Sequence, residues 1–210
     1  MIEHLPNLLI AWGIQAGGVL SPGPAVALLL GIGMADGRRA ALTTCLGIAG
    51  GAVLLASLTV IGLAAILVQY QPLLLAVKFL GAGYLLWLAW GAARRAMAPP
   101  PPPQARAVDG THSPLARIAQ GFVFQLGNPK AILYWIAVAA VGSLETVSVP
   151  ALLLFLAGAF VISFTGHGAW GVLLSSSPFR AAYARARRWI EATLGVFFTF
   201  AAFKIATSET

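Results

Sequence analysis

Ser21-Pro22-Gly23-Pro24-Ala25 interrupts an apolar stretch that runs from Leu5 to Met34. Gly127-Asn128-Pro129-Lys130-Ala131 interrupts a second one, from Ile118 to Val141. Both stretches are long enough to cross a bilayer, for which about 20 apolar residues rising about 1.5 Å each suffice. Both interruptions put helix breakers where hydrocarbon offers the backbone no hydrogen-bond partner. Irregular backbone at that depth survives only when buried in protein or lining a wet cavity. Two such breaks, one in each half of the chain, predict a solute site near the bilayer midplane.

Composition supports a membrane reading. The 210 residues are 59% hydrophobic and 9% charged, with a mean hydropathy of +0.86. A soluble domain carries roughly 25% charged residues, so this chain is expected to be an integral membrane protein. Its net charge of +7 falls in short loops between apolar spans. That placement reads as lipid contact and topology rather than nucleic-acid binding. Cys45 is the only cysteine, which excludes an intramolecular disulfide and a redox pair; it is expected to pack as a small apolar group. No His, Cys, Asp and Glu stand at metal-ligand spacing, and no phosphate-binding Gly-x-x-x-x-Gly-Lys-Ser/Thr occurs. The expectation is therefore no metal, no cofactor and no enzymatic activity. The first apolar stretch lacks a basic leader and exceeds a signal sequence, so it reads as a retained helix.

Six spans are predicted: Leu5–Met34, Ala41–Val68, Leu73–Trp90, Ile118–Val141, Pro150–Leu174 and Trp189–Ala206. Arginines fall between spans one and two, three and four, and five and six, whereas Gln69-Tyr70-Gln71 and Gly142–Val149 hold no Lys or Arg. Positive loops stay inside, so loops one, three and five are expected in the cytoplasm and both termini outside. The third loop carries five consecutive prolines, Pro99 to Pro103, which favour an extended, semi-rigid spacer. The expected organisation is one all-α transporter domain over residues 1–210. Residues 1–97 and 118–210 form two inverted three-helix repeats, joined by a cytoplasmic loop over 98–117, with the first and fourth helices broken. Gly23-Pro24-Ala25-x-x-Leu28 can be laid over Asn128-Pro129-Lys130-x-x-Leu133, in keeping with an internal repeat.

The breaks carry the chemistry. Ser21-Pro22 and Asn128-Pro129 each read as an N-cap followed by proline at the first helical position. In opposed repeats the restarted helices direct their N-termini at one another, offering N–H donors and partial positive charge to an anion or carboxylate. Lys130 adds a full charge. Ser21, Pro22, Gly23, Pro24, Asn128, Pro129 and Lys130 are therefore candidate solute contacts. Gln15 and Gln125, shortly before the breaks, are candidates to accept from a solute ammonium, and Tyr134 and Trp135 to line the pocket. His167 is a candidate proton relay. Lys78, near the outer end of span three, is a second coupling candidate. Asp36 is expected to pair with Arg38 or Arg39.

At these residues the chain resembles the LysE/RhtB family of amino-acid exporters. The resemblance rests on Pro22-Gly23-Pro24, Gly37-Arg38-Arg39-Ala40-Ala41, Gly47 with Gly50-Gly51, and the run Lys78 to Trp87. It extends through Gly121-Phe122, Asn128 to Leu133, and Arg187-Arg188-Trp189 with Gly195. It implies six helices, an inner-membrane location and proton-driven export of small amino acids or their derivatives. Family members often carry Asn, Asp or Glu where this chain has Ala25, a difference that points toward small neutral or apolar solutes. An ion or metal exporter, or a channel of related architecture, is the alternative; it calls for charge rings or ligand clusters that are missing here. Expected partners are an amino-acid solute and membrane lipid, with small-residue surfaces such as Gly47-x-x-Gly50 available for packing within or between subunits.

Overall fold

The computed structural model describes residues 5–69, 71–98, 113–140, 148–173 and 176–207. Eight helices and no strands occur among them: α1 (Leu5–Leu20), α2 (Pro24–Ala35), α3 (Gly37–Gln69), α4 (Gln71–Met97), α5 (Pro114–Leu126), α6 (Pro129–Ala139), α7 (Val149–Leu173) and α8 (Ser177–Thr207). The proline run Pro99–Pro103 lies outside the described residues.

Both expected breaks are present. α1 and α2 are separated by Ser21-Pro22-Gly23 and bend by 52°. α5 and α6 are separated by Gly127-Asn128. Four helical segments are long and apolar enough to span a membrane by themselves: Gly37–Gly62, Leu75–Met97, Val149–Leu173 and Ala181–Thr207. The bent pair α1 and α2 makes a fifth. The fourth span, expected to be broken, is two short helices of 13 and 11 residues. α5 carries Arg117, Gln120 and Gln125, so its composition is too polar for a lone span.

Several helices run beyond the expected apolar spans, α3 from Gly37 rather than Ala41 among them. α5 begins at Pro114, ahead of Ile118, because Ser113 caps it: its side chain accepts from Ala116 N at 3.3 Å and Pro114 follows. α8 begins at Ser177, so Arg185, Arg187 and Arg188 lie on a helix rather than in a loop. α4 likewise continues past Trp90 to carry Arg94 and Arg95 in its last turn. Between α2 and α3 the chain turns within Asp36 and Gly37. Gly37 has φ of 86°, a left-handed conformation that a Cβ disfavours.

α3 packs most extensively on α5 and α7, and α4 on α8. The α3–α5 contact is a backbone contact. A Cβ on Gly47 would stand 1.9 Å from Ile118 O, and one on Gly121 would stand 2.0 Å from Thr44 O. Gly47 thus packs within the chain. The core between the helices is built from Leu8, Ile14, Leu85, Phe155, Phe198 and Ile205, all fully buried. The outer surface is apolar too: Phe79, Leu80, Trp87, Val196 and Phe203 are mostly exposed, which suits lipid rather than water.

Three ion pairs occur among the described residues. Asp36 holds Arg117 of α5, correcting the expected partnership with Arg38 or Arg39. Packing of α5 on α3 brings the Arg117 guanidinium to the α2 C-terminus, and Arg117 also donates to Gln120 Oε1 at 3.1 Å. Glu191, fully buried on α8, lies 3.0 Å from Arg95 of α4 and 4.0 Å from Arg187.

Gly121→Leu is expected to separate α5 from α3 and to destabilise the fold by at least ~1–3 kcal/mol, the cost of overpacking. Heating in detergent followed by size-exclusion chromatography checks this. Gly83→Leu, with no atom near its absent Cβ, is expected to leave the melting profile unchanged.

Candidate functional site

The two breaks meet at one cavity. Its wall includes Ser21 and Gly23 from the first break and Asn128 and Lys130 from the second. Its volume, counted as room for the centres of water molecules, is about 50 Å³, enough for a few waters.

Local chemistry explains each break. Ser21 N still donates to Gly17 O at 2.9 Å, so Ser21 ends α1 rather than capping α2. A residue before proline is driven from helical geometry, and Pro22 stops the helix there. α2 restarts two residues later than expected, with Gly23 as N-cap, Pro24 at the first helical position and no side-chain cap. The second break follows the sequence reading. Asn128 is the N-cap, and its Oδ1 accepts from Lys130 N at 3.1 Å. The first-turn N–H groups of Ala25, Val26 and Ala131 have no intrahelical acceptor by helix geometry, and all three residues line the cavity.

The carbonyls freed at the end of α1 are satisfied from elsewhere in the fold. Trp170 of α7 donates from Nε1 to Val19 O at 2.9 Å. Lys130 Nζ donates to Ser21 O. A cation at a helix C-terminus is also favoured by the helix dipole. The Lys130 chain lies along Gly23, where a Cβ would come within 3.1 Å of Nζ. Tyr84 Oη lies 3.5 Å from Lys130 O.

The other polar side chains of the wall come from α1, α5, α6 and α7. Gln15 Nε2 donates to Ala159 O at 2.7 Å. Because a carbonyl only accepts, that bond fixes the amide and leaves Gln15 Oε1 pointing elsewhere. Gln15 Oε1, Gln125 Oε1 and Tyr134 Oη are buried with no hydrogen-bond partner among the described residues. Tyr134 packs edge-on against Tyr84, ring centroids 5.8 Å apart. Its ring also fills the space above Gly18, where a Cβ would meet it at 2.4 Å. His167 of α7 has Nδ1 3.0 Å from Ser163 O. Ser163 Oγ lies 3.3 Å from the same nitrogen, so Nδ1 donates to the carbonyl in one tautomer and accepts from the hydroxyl in the other.

Of the residues singled out from sequence, Gln15, Ser21, Gly23, Gln125, Asn128, Lys130, Tyr134, Trp135 and His167 reach the wall. Pro22, Pro24 and Pro129 do not; Pro24 and Pro129 are exposed on the far side of their helices. Their part is conformational. Lys78 is buried in α4 away from the cavity. Sequence reading missed Gly18, Val26, Ala52 and Ser163. Only Ser163 left a signal, standing four residues before His167 and so on the same helical face.

Trp170→Phe keeps the ring beside Tyr183 but strips Val19 O of its donor. A loss of about 1–3 kcal/mol in stability is expected, read as a lower unfolding temperature in detergent.

Comparison with known proteins assigns the family. The family model of the LysE type translocator matches residues 16–209. The uncharacterized membrane protein YahN of Escherichia coli (strain K12) is 30% identical over 185 residues, covering 84% of this chain and 80% of that one. The threonine efflux protein of the same strain is 26% identical over 188 residues, covering 86% and 87%. The uncharacterized membrane protein PA4757 of Pseudomonas aeruginosa is 34% identical over 127 residues, covering 57% and 56%. No solved structure matches the chain. With a match across nearly its whole length, the chain belongs to the LysE type translocator family and is an integral membrane transporter.

Proposed function

We propose that the protein is a secondary exporter of small amino acids or amino-acid derivatives, carrying them from the cytoplasm across the inner membrane. One observation carries this reading: two helix breaks face one cavity that holds a lysine, while no Asp or Glu of the described residues lines it. Such a wall supplies positive charge and backbone donors without a resident counter-ion, which suits a carboxylate. In this reading the solute carboxylate rests on Lys130 and the first-turn N–H groups of α2 and α6. The solute ammonium faces Gln15 Oε1 and Gln125 Oε1. The relation to a threonine efflux protein supports a solute of this class.

Residues 1–97 and 118–210 act as two inverted repeats that rock about the cavity, joined by a cytoplasmic segment over 98–117. The packing of α3 on α7 and of α4 on α8, each the counterpart of the other in its half, supports that symmetry. Both termini then lie outside and loops one, three and five inside. The proton gradient drives export, and His167, whose ring lines the cavity, is the nearer coupling candidate. Lys78 is the more remote one.

Efflux from proteoliposomes loaded with a panel of labelled amino acids, with and without a pH gradient, tests the proposal. Lys130→Ala is expected to reduce export to background while the protein remains in the membrane at wild-type level. Wild-type flux from that variant would remove Lys130 from the mechanism. His167→Asn is expected to retain downhill exchange and to lose acceleration by the pH gradient.

A further inference from the structure

We infer that Lys130 is a tethered stand-in for the ammonium group of the solute, and that loading exchanges one for the other at Ser21 O. The inference rests on the amino-acid reading above and concerns how that site tells zwitterions from other solutes. The Lys130 ammonium occupies the seat at the α1 carboxyl end, donating to Ser21 O. That carbonyl has no helical partner of its own, since the chain breaks at Pro22.

A carboxylate entering the cavity is the natural partner for Lys130, because no acidic side chain of the described residues lines the wall. Drawing Lys130 onto the carboxylate strips Ser21 O of its donor. A buried acceptor left bare is costly. A solute that brings its own ammonium refills the vacated seat, and Gln15 Oε1 and Gln125 Oε1 stand unpartnered in the same wall to share it. A carboxylic acid without an amino group leaves Ser21 O exposed. An amine without a carboxylate must compete with Lys130 for the seat and offers Lys130 nothing in return. Both charged ends are therefore required in one molecule, although only the carboxylate meets an opposite charge in the wall.

The test uses purified full-length protein and measures binding by competition. L-Threonine is compared with 3-hydroxybutyrate, which lacks the amino group, and with 1-amino-2-propanol, which lacks the carboxylate. L-Alanine is compared in the same way with propionate and ethylamine. Each single-headed analogue is expected to bind roughly 5- to 150-fold more weakly than its amino acid, the effect of one bare buried polar group. Lys130→Met keeps the length of the stem but vacates the seat. In that variant the amines are expected to bind more tightly than to wild type, while the amino acids bind more weakly. Lys130→Arg, which keeps the charge, is expected to hold amine binding at the wild-type level.

Two results overturn the exchange and leave the amino-acid reading standing. One is propionate or 3-hydroxybutyrate competing as well as its amino acid. The other is amine binding that falls in Lys130→Met together with amino-acid binding. Absence of any amino-acid binding or flux in the wild-type protein overturns the amino-acid reading itself.

Discussion

The whole arrangement depends on satisfying backbone carbonyls where α1 stops inside an apolar fold. A helix end leaves its last C=O groups without partners, and lipid supplies none. Two donors from distant sequence meet the need: Trp170 on Val19 O and Lys130 on Ser21 O. Each is more than a hundred residues away along the chain. The carbonyls of the first break are therefore satisfied only with α6 and α7 docked on α1. In turn, docking puts a charged side chain of the second break into the gap left by the first. The site and the contact that stabilises it are one construction.

Small residues make that docking close enough to work. The backbones of α3 and α5 touch at Gly47 and Gly121, and Gly18 admits the ring of Tyr134 against α1. Such contacts replace the hydrophobic drive that lipid-embedded helices lack. They also leave little room for water, so the polar atoms that remain in the cavity are few and specific. Gln15, Gln125 and Tyr134 each present an unpaired buried atom there. Unpaired polar atoms are costly in a native interior, and the three residues that carry them line one cavity.

Sequence alone reached far into this protein because its strongest signals are local. Proline removes an N–H and fixes φ whatever surrounds it, so the two breaks and their positions followed from Pro22, Pro24 and Pro129. Asn128 before Pro129 announced its cap in the same way. Charge depletion and apolar length predicted the membrane without reference to packing. Even the wall residues Gln15, Gln125 and His167 stood out, since polar side chains in apolar helices are few. The signals failed where a helix outlasts its apolar part. Arg94, Arg95, Arg187 and Arg188 read as loop residues but continue α4 and α8, because helical backbone persists wherever its own hydrogen bonds do.

What the sequence by itself determined is which segments break and which polar groups each helix carries. Only the tertiary structure decided what those groups face. It gave Asp36 to Arg117 rather than to its neighbours Arg38 and Arg39. It moved the restart of α2 from Ser21 to Gly23, kept Lys78 out of the cavity, and set Lys130 on a carbonyl of the opposite break. The reason is physical. Caps and breaks are governed by neighbours a few bonds away, whereas the partner of a buried charge is chosen by whichever helix packing brings within hydrogen-bond reach.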